Sequence, residues 1–384
     1  MEAKQTNIFM AVNFYKDDKT VGVTKKIIST INAFRRKGCS VYYTAYGANG
    51  IDIYDNTDTI VFHKAYGVKN EQAKSAVHRF TLLIAAKQFL KKTDIHFDVL
   101  FSRWLGFDLF YIKMLKVAKK KHRAFTIIDM LSYFPGIHFD GLKGKYMVWN
   151  TDFFHRTAAK YIDEMIVEGD LPELFGKGTS PSIMGVEVDD LKEHIYMGDP
   201  DVTNIISVSN ERSYHGYDRL IKSLAEYKKH GQEKVIIHLV GVISDETKKL
   251  ISSLGLEENV KFYGKKYSEE LTQIYSQCNI AAGPIAQHRI GGKKDTGLKT
   301  KEYFGIGIPY FYAGEDSVPN DYPYVLRIPD DESLVDINEI VKFRRSYSGN
   351  TNVTKEMREY ARKNFSWDTA TDIYLKKYHS EVQS

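Results

Sequence analysis

The chain has 384 residues, 43% of them hydrophobic and 27% charged. That balance excludes a disordered tail, a collagen and a coiled-coil rod, and at roughly 100–200 residues per domain it suggests two domains. The net charge of +5 is unevenly placed, with +9 over residues 1–185 and −4 beyond. A basic first half suits an anionic substrate or a membrane surface. Nucleic acid is disfavoured, because no recognised module or interleaved aromatic motif appears. The two cysteines, Cys39 and Cys278, make neither a disulfide framework nor a zinc site and favour a reducing, cytoplasmic compartment. The first residues lack the basic and apolar regions of a signal peptide. The longest uncharged apolar run, near residues 81–86, is far short of the roughly 20 residues that span a bilayer.

In chain order, residues 7–14 read as a strand, followed by a loop over 16–23 that contains Gly22. Residues 25–37 have helical spacing, with Ile27, Ile28, Ile31 and Phe34 on one side, and Gly38 ends them. Residues 40–45, 97–101, 124–128 and 161–167 read as strands, with a helix over 109–121. The second half restarts the series. Strands are predicted at 203–208, 235–240 (ending at Gly241), 260–263, 280–282 and 310–312, and helices at 217–230, 245–253, 268–277 and from 298. The pattern is α/β, with two Rossmann-like, doubly wound domains facing a cleft. The hydrophilic stretch 186–202 reads as the linker between a first domain, 1–185, and a second, 203–362.

Two turns of the second half carry chemistry. The stretch from Gly291 to Glu302 nearly spells a phosphate-binding Walker loop, but Leu298 stands between Gly297 and Lys299, which excludes that NTPase motif. A glycine-rich loop leading into a helix start still favours an anion such as a diphosphate. The turn from Ser209 to His215 places Arg212 and His215 between a strand and a helix, where a guanidinium can pair with phosphate. Asp199-Pro200-Asp201 is centred on proline and reads as a turn rather than a metal site. No metal site and no cofactor are expected. In the first half, Arg103, Asp129 and Tyr133 follow strands and are candidates for acceptor or donor-sugar contact. Residues 111–123 combine six cations with Ile112, Met114, Leu115 and Val117, a composition that suits an anionic membrane surface.

These residues bring a resemblance into view. The segment His215-Gly216-Tyr217-Asp218-Arg219-Leu220-Ile221, then Leu298-Lys299-Thr300-Lys301-Glu302-Tyr303-Phe304 with Gly307-Ile308-Pro309, resembles retaining GT-B glycosyltransferases of the glycosyl transferases group 1 type, as found in bacterial capsule and exopolysaccharide synthesis. The resemblance is strong over residues 203–314 and weaker before. It implies transfer of a sugar from a nucleotide sugar, UDP favoured, to a glycan or lipid-linked glycan, with no obligatory metal. It implies that Glu302 binds the ribose hydroxyls and that Arg212 and Lys299 neutralise the leaving diphosphate. Thr296, Gly297 and Leu298 would cap that diphosphate, with Asp295, His215 and Gly241 nearby and Gly22 on the acceptor side. Lys294 stands where the family has its first glutamate. That departure keeps a catalytically silent GT-B subunit as the alternative reading, ahead of a nucleotide-sugar 2-epimerase. Phe365-Ser366-Trp367 resembles the start of a last helix, within 363–384, that crosses back to the first domain.

Overall fold

The computed structural model describes residues 5–18, 22–68, 71–130, 141–167, 171–182, 185–290, 294–295 and 297–382. The chain divides into two units, residues 1–183 with 367–384, and residues 184–366.

In the first unit the chain runs β1 (Asn7–Ala11), α1 (Gly22–Arg36), β2 (Ser40–Tyr46), β3 (Gly50–Tyr54), β4 (Ile60–Ala65), α2 (Glu71–Lys92), β5 (Val99–Arg103), α3 (Leu109–Val117), β6 (Phe125–Asp129), α4 (Gly141–Ala158), β7 (Glu164–Val167), β8 (Glu173–Leu174) and β9 (Lys177–Pro181). The sheet order is β4-β3-β2-β1-β5-β6-β7-β9-β8. Strands β2, β1, β5, β6 and β7 are parallel neighbours. All five residues of β6 are buried, as expected for a strand covered on both faces. The antiparallel hairpin β3–β4 and helix α2 were not anticipated from sequence. The hairpin is held by side chains across its strands, with His63 Nδ1 and Asp52 Oδ1 2.7 Å apart. Gly22 is the first residue of α1 rather than part of the preceding loop.

Helix α3 begins on Asp108, whose Oδ1 accepts the N–H groups of Phe110 (2.8 Å) and Tyr111 (2.9 Å). The basic stretch 111–123, expected to suit an anionic membrane surface, turns its apolar side chains inward. Tyr111, Ile112, Met114 and Leu115 all face the core. Two of the cations are engaged as well: Lys119 pairs with Asp163, and Lys121 Nζ donates to the Lys91 carbonyl at 2.9 Å.

The second unit has the sequence β10 (Val202–Val208), α5 (Tyr217–Tyr227), β11 (Lys234–Val240), α6 (Asp245–Ser253), β12 (Val260–Gly264), α7 (Ser268–Ser276), β13 (Ile280–Ala282), β14 (Lys294–Asp295), α8 (Leu298–Ile306), β15 (Tyr310–Ala313), β16 (Glu315–Asp316), β17 (Val325–Ile328), α9 (Ile337–Ser346) and α10 (Val353–Asn364). Its main sheet has the order β12-β11-β10-β13-β15-β17, and every pair in it is parallel. This is the doubly wound order in which the strand sequence reverses beside the first strand. Residues 186–202, predicted as a linker, belong to this unit. Val186 and Val188 are buried in its core, and the Arg358 guanidinium donates to the carbonyls of Val188 (3.1 Å) and Leu191 (3.0 Å). A hydrophilic composition hid this anchoring, because the backbone of the segment supplies the acceptors.

The last helix, α11 (Trp367–Val382), belongs to the first unit. Tyr374 lies 5.9 Å from Phe101 and Tyr378 5.8 Å from Phe125 between ring centres. Arg36 at the end of α1 bonds Asp368 at 2.9 Å.

Candidate functional site

In a doubly wound sheet the strand order reverses at one point, and ligands bind outside the carboxyl ends of the strands there. In the second unit that point lies between β10 and β13. The chain leaving β10 is the turn that carries Arg212. Glu211 anchors the turn, accepting from the N–H of Ser244 at 2.6 Å and the hydroxyl of Thr247. Gly241, at the end of β11, allows the close approach. Its φ is +134°, and a Cβ there would lie 2.1 Å from the Ser209 carbonyl oxygen. Gly241 thus shapes the turn through its backbone. Among the described residues no carboxylate pairs with the exposed Arg212 guanidinium, whereas Arg289, Arg344 and Arg358 are all engaged.

The second element is the start of α8. Gly297 is its N-cap and Leu298 its first residue, with no acidic group in the first turn. Its leading N–H groups have no intrahelical acceptors, so this end is partly positive. Lys299 projects from it, with Nζ 3.2 Å from Glu302 Oε2. Two residues further on, Lys301 is buried; it pairs with Asp316 and sits 4.7 Å above the Phe365 ring. That pair ties α8 to β16, which runs parallel to β14, the strand holding Asp295. Sequence reasoning passed over Lys301, whose signal was a lysine between Thr300 and Tyr303 on the helix face that packs inward. Thr296 lies outside the described residues.

His215, on the Arg212 turn, lies within the field of both elements. Its pKa is pulled down to about 4 by burial first, then by the Lys299 ammonium, with a smaller push from Arg212 and opposition from Glu211. The ring is therefore neutral near pH 7. The Arg212 N–H donates to Nδ1 at 3.1 Å, which assigns the ring proton to Nε2 and makes that atom a donor. Cations, a helix start and an imidazole N–H are the groups whose chemistry suits an anion.

The residues that follow in the sequence motif are scaffold. Gly216 has φ +69°, and a Cβ there would meet Ile285 at 2.7 Å. The Tyr217 hydroxyl bonds Ser209 at 2.6 Å and Ser207 at 3.1 Å. Asp218 takes a two-point bond from Arg289, at 2.7 and 3.0 Å. Arg219 is buried and donates to the carbonyls of Ser333, Ile285 and Pro329. These contacts hold the helix against the loop after β13 and so fix the turn before it.

In the first unit Arg103 ends β5 and Asp129 ends β6, and the two are paired in register. Asp129 Oδ2 receives Lys26 Nζ of α1 at 2.9 Å, with side-chain exposures of 2% and 7%. Lys26 was missed from sequence. Its signal is the helical face it shares with Ile27, Thr30 and Ile31, all buried. Gly22 opens the same helix. Tyr133 lies outside the described residues.

Among the described residues no group of three or more His, Cys, Asp or Glu side chains is arranged to hold a metal. Asp199 Oδ1 accepts the N–H of Asp201 at 3.0 Å, closing its own turn. Both cysteines are buried and free.

Residues 198–310 match the family model described as "Glycosyl transferases group 1". That segment contains Arg212, His215, Gly241, Lys299 and Glu302. No curated protein matches the chain by sequence. Solved structures of the same fold include a glycosyltransferase from Rickettsia africae ESF-5, 15% identical, with TM-score 0.62 over 97% of this chain and 99% of that one. Sucrose-phosphate synthase from Thermosynechococcus elongatus is 13% identical, with TM-score 0.60 over 99% of both chains. Anabaena Alr3699/HepE, solved with UDP, is 14% identical, with TM-score 0.57 over 99% of this chain and 100% of that one. The fold is GT-B.

Proposed function

We propose that this chain, a GT-B glycosyltransferase whose second unit carries the glycosyl transferases group 1 segment, transfers a sugar from a UDP-sugar to a glycan or lipid-linked glycan with retention of configuration. Its setting in this reading is polysaccharide or glycoconjugate synthesis in the cytoplasm. What supports the proposal is that the Arg212 turn, with His215 bound to its backbone, leaves the switch-point strand β10, and that α8 opens on Gly297 with Lys299 and no acidic residue in its first turn. Anabaena HepE, of the same fold, was solved with UDP and with UDP-glucose, which supports UDP as the nucleotide.

In this reading the diphosphate takes Arg212, Lys299 and the N–H groups at the start of α8, and Glu302 accepts from the ribose hydroxyls. Breaking the sugar–phosphate bond leaves positive charge on the sugar and negative charge on the diphosphate. The fixed cations stabilise the negative charge as it develops. A front-face course follows, in which the leaving phosphate takes the acceptor proton as the new glycosidic bond forms. Arg103 and Gly22 remain the acceptor or donor-sugar candidates of the first unit, whereas Asp129, buried and paired with Lys26, is corrected to a structural role. Lys294, in place of the family's first glutamate, favours the second reading, a silent subunit. Product analysis with UDP-sugars and glycan acceptors separates the two: a glycoside supports transfer, and intact donor in every combination supports the silent subunit.

Transfer should persist in EDTA, because side chains supply the positive charge at the diphosphate. Complete loss restored by manganese would contradict this assignment.

An imidazole held near pKa 4, against an ordinary 6.5, keeps the folded protein unprotonated there while the unfolded chain binds a proton. Stability is therefore lost as the pH falls from 6.5 towards 4. A bound diphosphate offsets the field of Lys299 and Arg212 and raises the His215 pKa. At pH 5 the net protons exchanged on UDP binding include those of the terminal phosphate, which titrates near about 6, and the His215 share should make uptake greater in the wild type than in His215→Gln. Titration calorimetry in buffers of different ionisation enthalpy measures the difference; equal uptake would remove His215 from the site.

A further inference from the structure

Helix α4 is pinned to the first unit by its inner face. Thr151 Oγ1 accepts the Trp104 indole N–H and the Phe107 N–H, both at 3.1 Å. Its outer face is aromatic. Tyr146, Trp149 and Phe153, at positions i, i+3 and i+7, are 42%, 62% and 68% exposed. Trp149 and Phe153 stack with ring centres 6.0 Å apart. The start of α3 extends the patch, with Leu109 55% and Phe110 41% exposed. Phe80 links the two helices, at 5.5 Å from Phe110 and 6.4 Å from Tyr146. Single exposed apolar residues are ordinary; a contiguous aromatic stripe marks an interaction surface.

The charges on this face select the partner. Lys145, Arg156 and Lys160 are exposed beside the stripe, and Asp152 is the only acidic residue of α4. Trp and Tyr beside cations, on a helix lying along a surface, match the headgroup region of an anionic bilayer. Among the described residues no helix is long and apolar enough to cross a membrane.

We propose that the outer face of α4 docks the protein on an anionic lipid bilayer, with Trp149 and Phe153 inserted at headgroup depth and Lys145, Arg156 and Lys160 against lipid phosphates. This surface replaces the 111–123 stretch, whose apolar residues are internal. The proposal concerns the first unit alone and stands independently of the donor assignment.

Flotation of the full chain on vesicles of phosphatidylcholine, with and without phosphatidylglycerol, tests it. The protein should float on the mixed vesicles at low salt and be released by high salt. Trp149→Ala with Phe153→Ala should abolish flotation. Charge reversal at Lys145, Arg156 and Lys160 should weaken it at least about 100-fold, at about 5-fold per lost cation, while Lys120→Glu, off this face, should change it little. Trp149 gives a readout in the unmodified protein. Trp104 and Trp367 are 6% and 3% exposed, so a blue shift of emission on vesicles reports Trp149. Absence of the shift, absence of low-salt binding, or wild-type binding by the Trp149/Phe153 variant would overturn the proposal. Self-association abolished by that variant without vesicle binding would overturn it in favour of an interface between copies.

Discussion

Lys299→Ala should lower kcat for sugar transfer about 100- to 1000-fold, the loss measured when one fixed donor to a developing oxyanion is removed. Lys299 projects from the positive end of α8, and its field reaches His215 across the site. Its task lies in the transition state, where charge accumulates on the diphosphate, so the loss belongs in kcat more than in KM. Arg212→Ala should behave alike, and the double variant should lose less than the product of the two losses, since both groups serve one charge. Lys299→Arg, which keeps the charge, should recover part of the rate. Single-turnover transfer from a UDP-sugar reads the chemical step directly. An unchanged rate in both single variants would remove these cations from the reaction.

Lys26→Met should cost the first unit about 3–5 kcal/mol, because it leaves the Asp129 carboxylate charged in a site with 2% exposure. Replacing both partners, Lys26→Met with Asp129→Leu, should cost far less, since no charge is then stranded. The measurement is specific to the unit. All three tryptophans, Trp104, Trp149 and Trp367, lie in residues 1–183 and 367–384, so their fluorescence in urea follows this unit. Equal losses in the single and double variants would show that packing, not charge pairing, sets the cost.

The βα series of the second unit was legible because its strands are buried on both faces. The run Val202–Val208 has all seven residues buried and announces itself as an apolar stretch between turn signals. The Arg212 turn and the α8 start were legible because each joins a strand to a helix with unusual residues between. What stayed hidden depends on partners far away in the chain. Arg219 reads as an exposed helix arginine until Ile285, Pro329 and Ser333 arrive to accept its protons. Lys26 reads as one of a solvent-facing pair of lysines until Asp129 reaches it from 103 residues away. The basic stretch 111–123 misled for the opposite reason, since its charges are visible in sequence and the burial of its apolar side is not. The aromatic stripe of α4 went unnoticed because no helix was read over residues 141–158, and without the helical period Tyr146, Trp149 and Phe153 share no face.

Titration of UDP into the intact protein tests the central assignment most directly. The account predicts saturable binding. Glu302→Ala should weaken it by about 1.5–3 kcal/mol, the cost of a lost hydrogen bond to a charged group, and Arg212→Ala should weaken it further at low salt. Absence of UDP binding, or an affinity unchanged in both variants, would contradict the placement of the nucleotide between the Arg212 turn and α8.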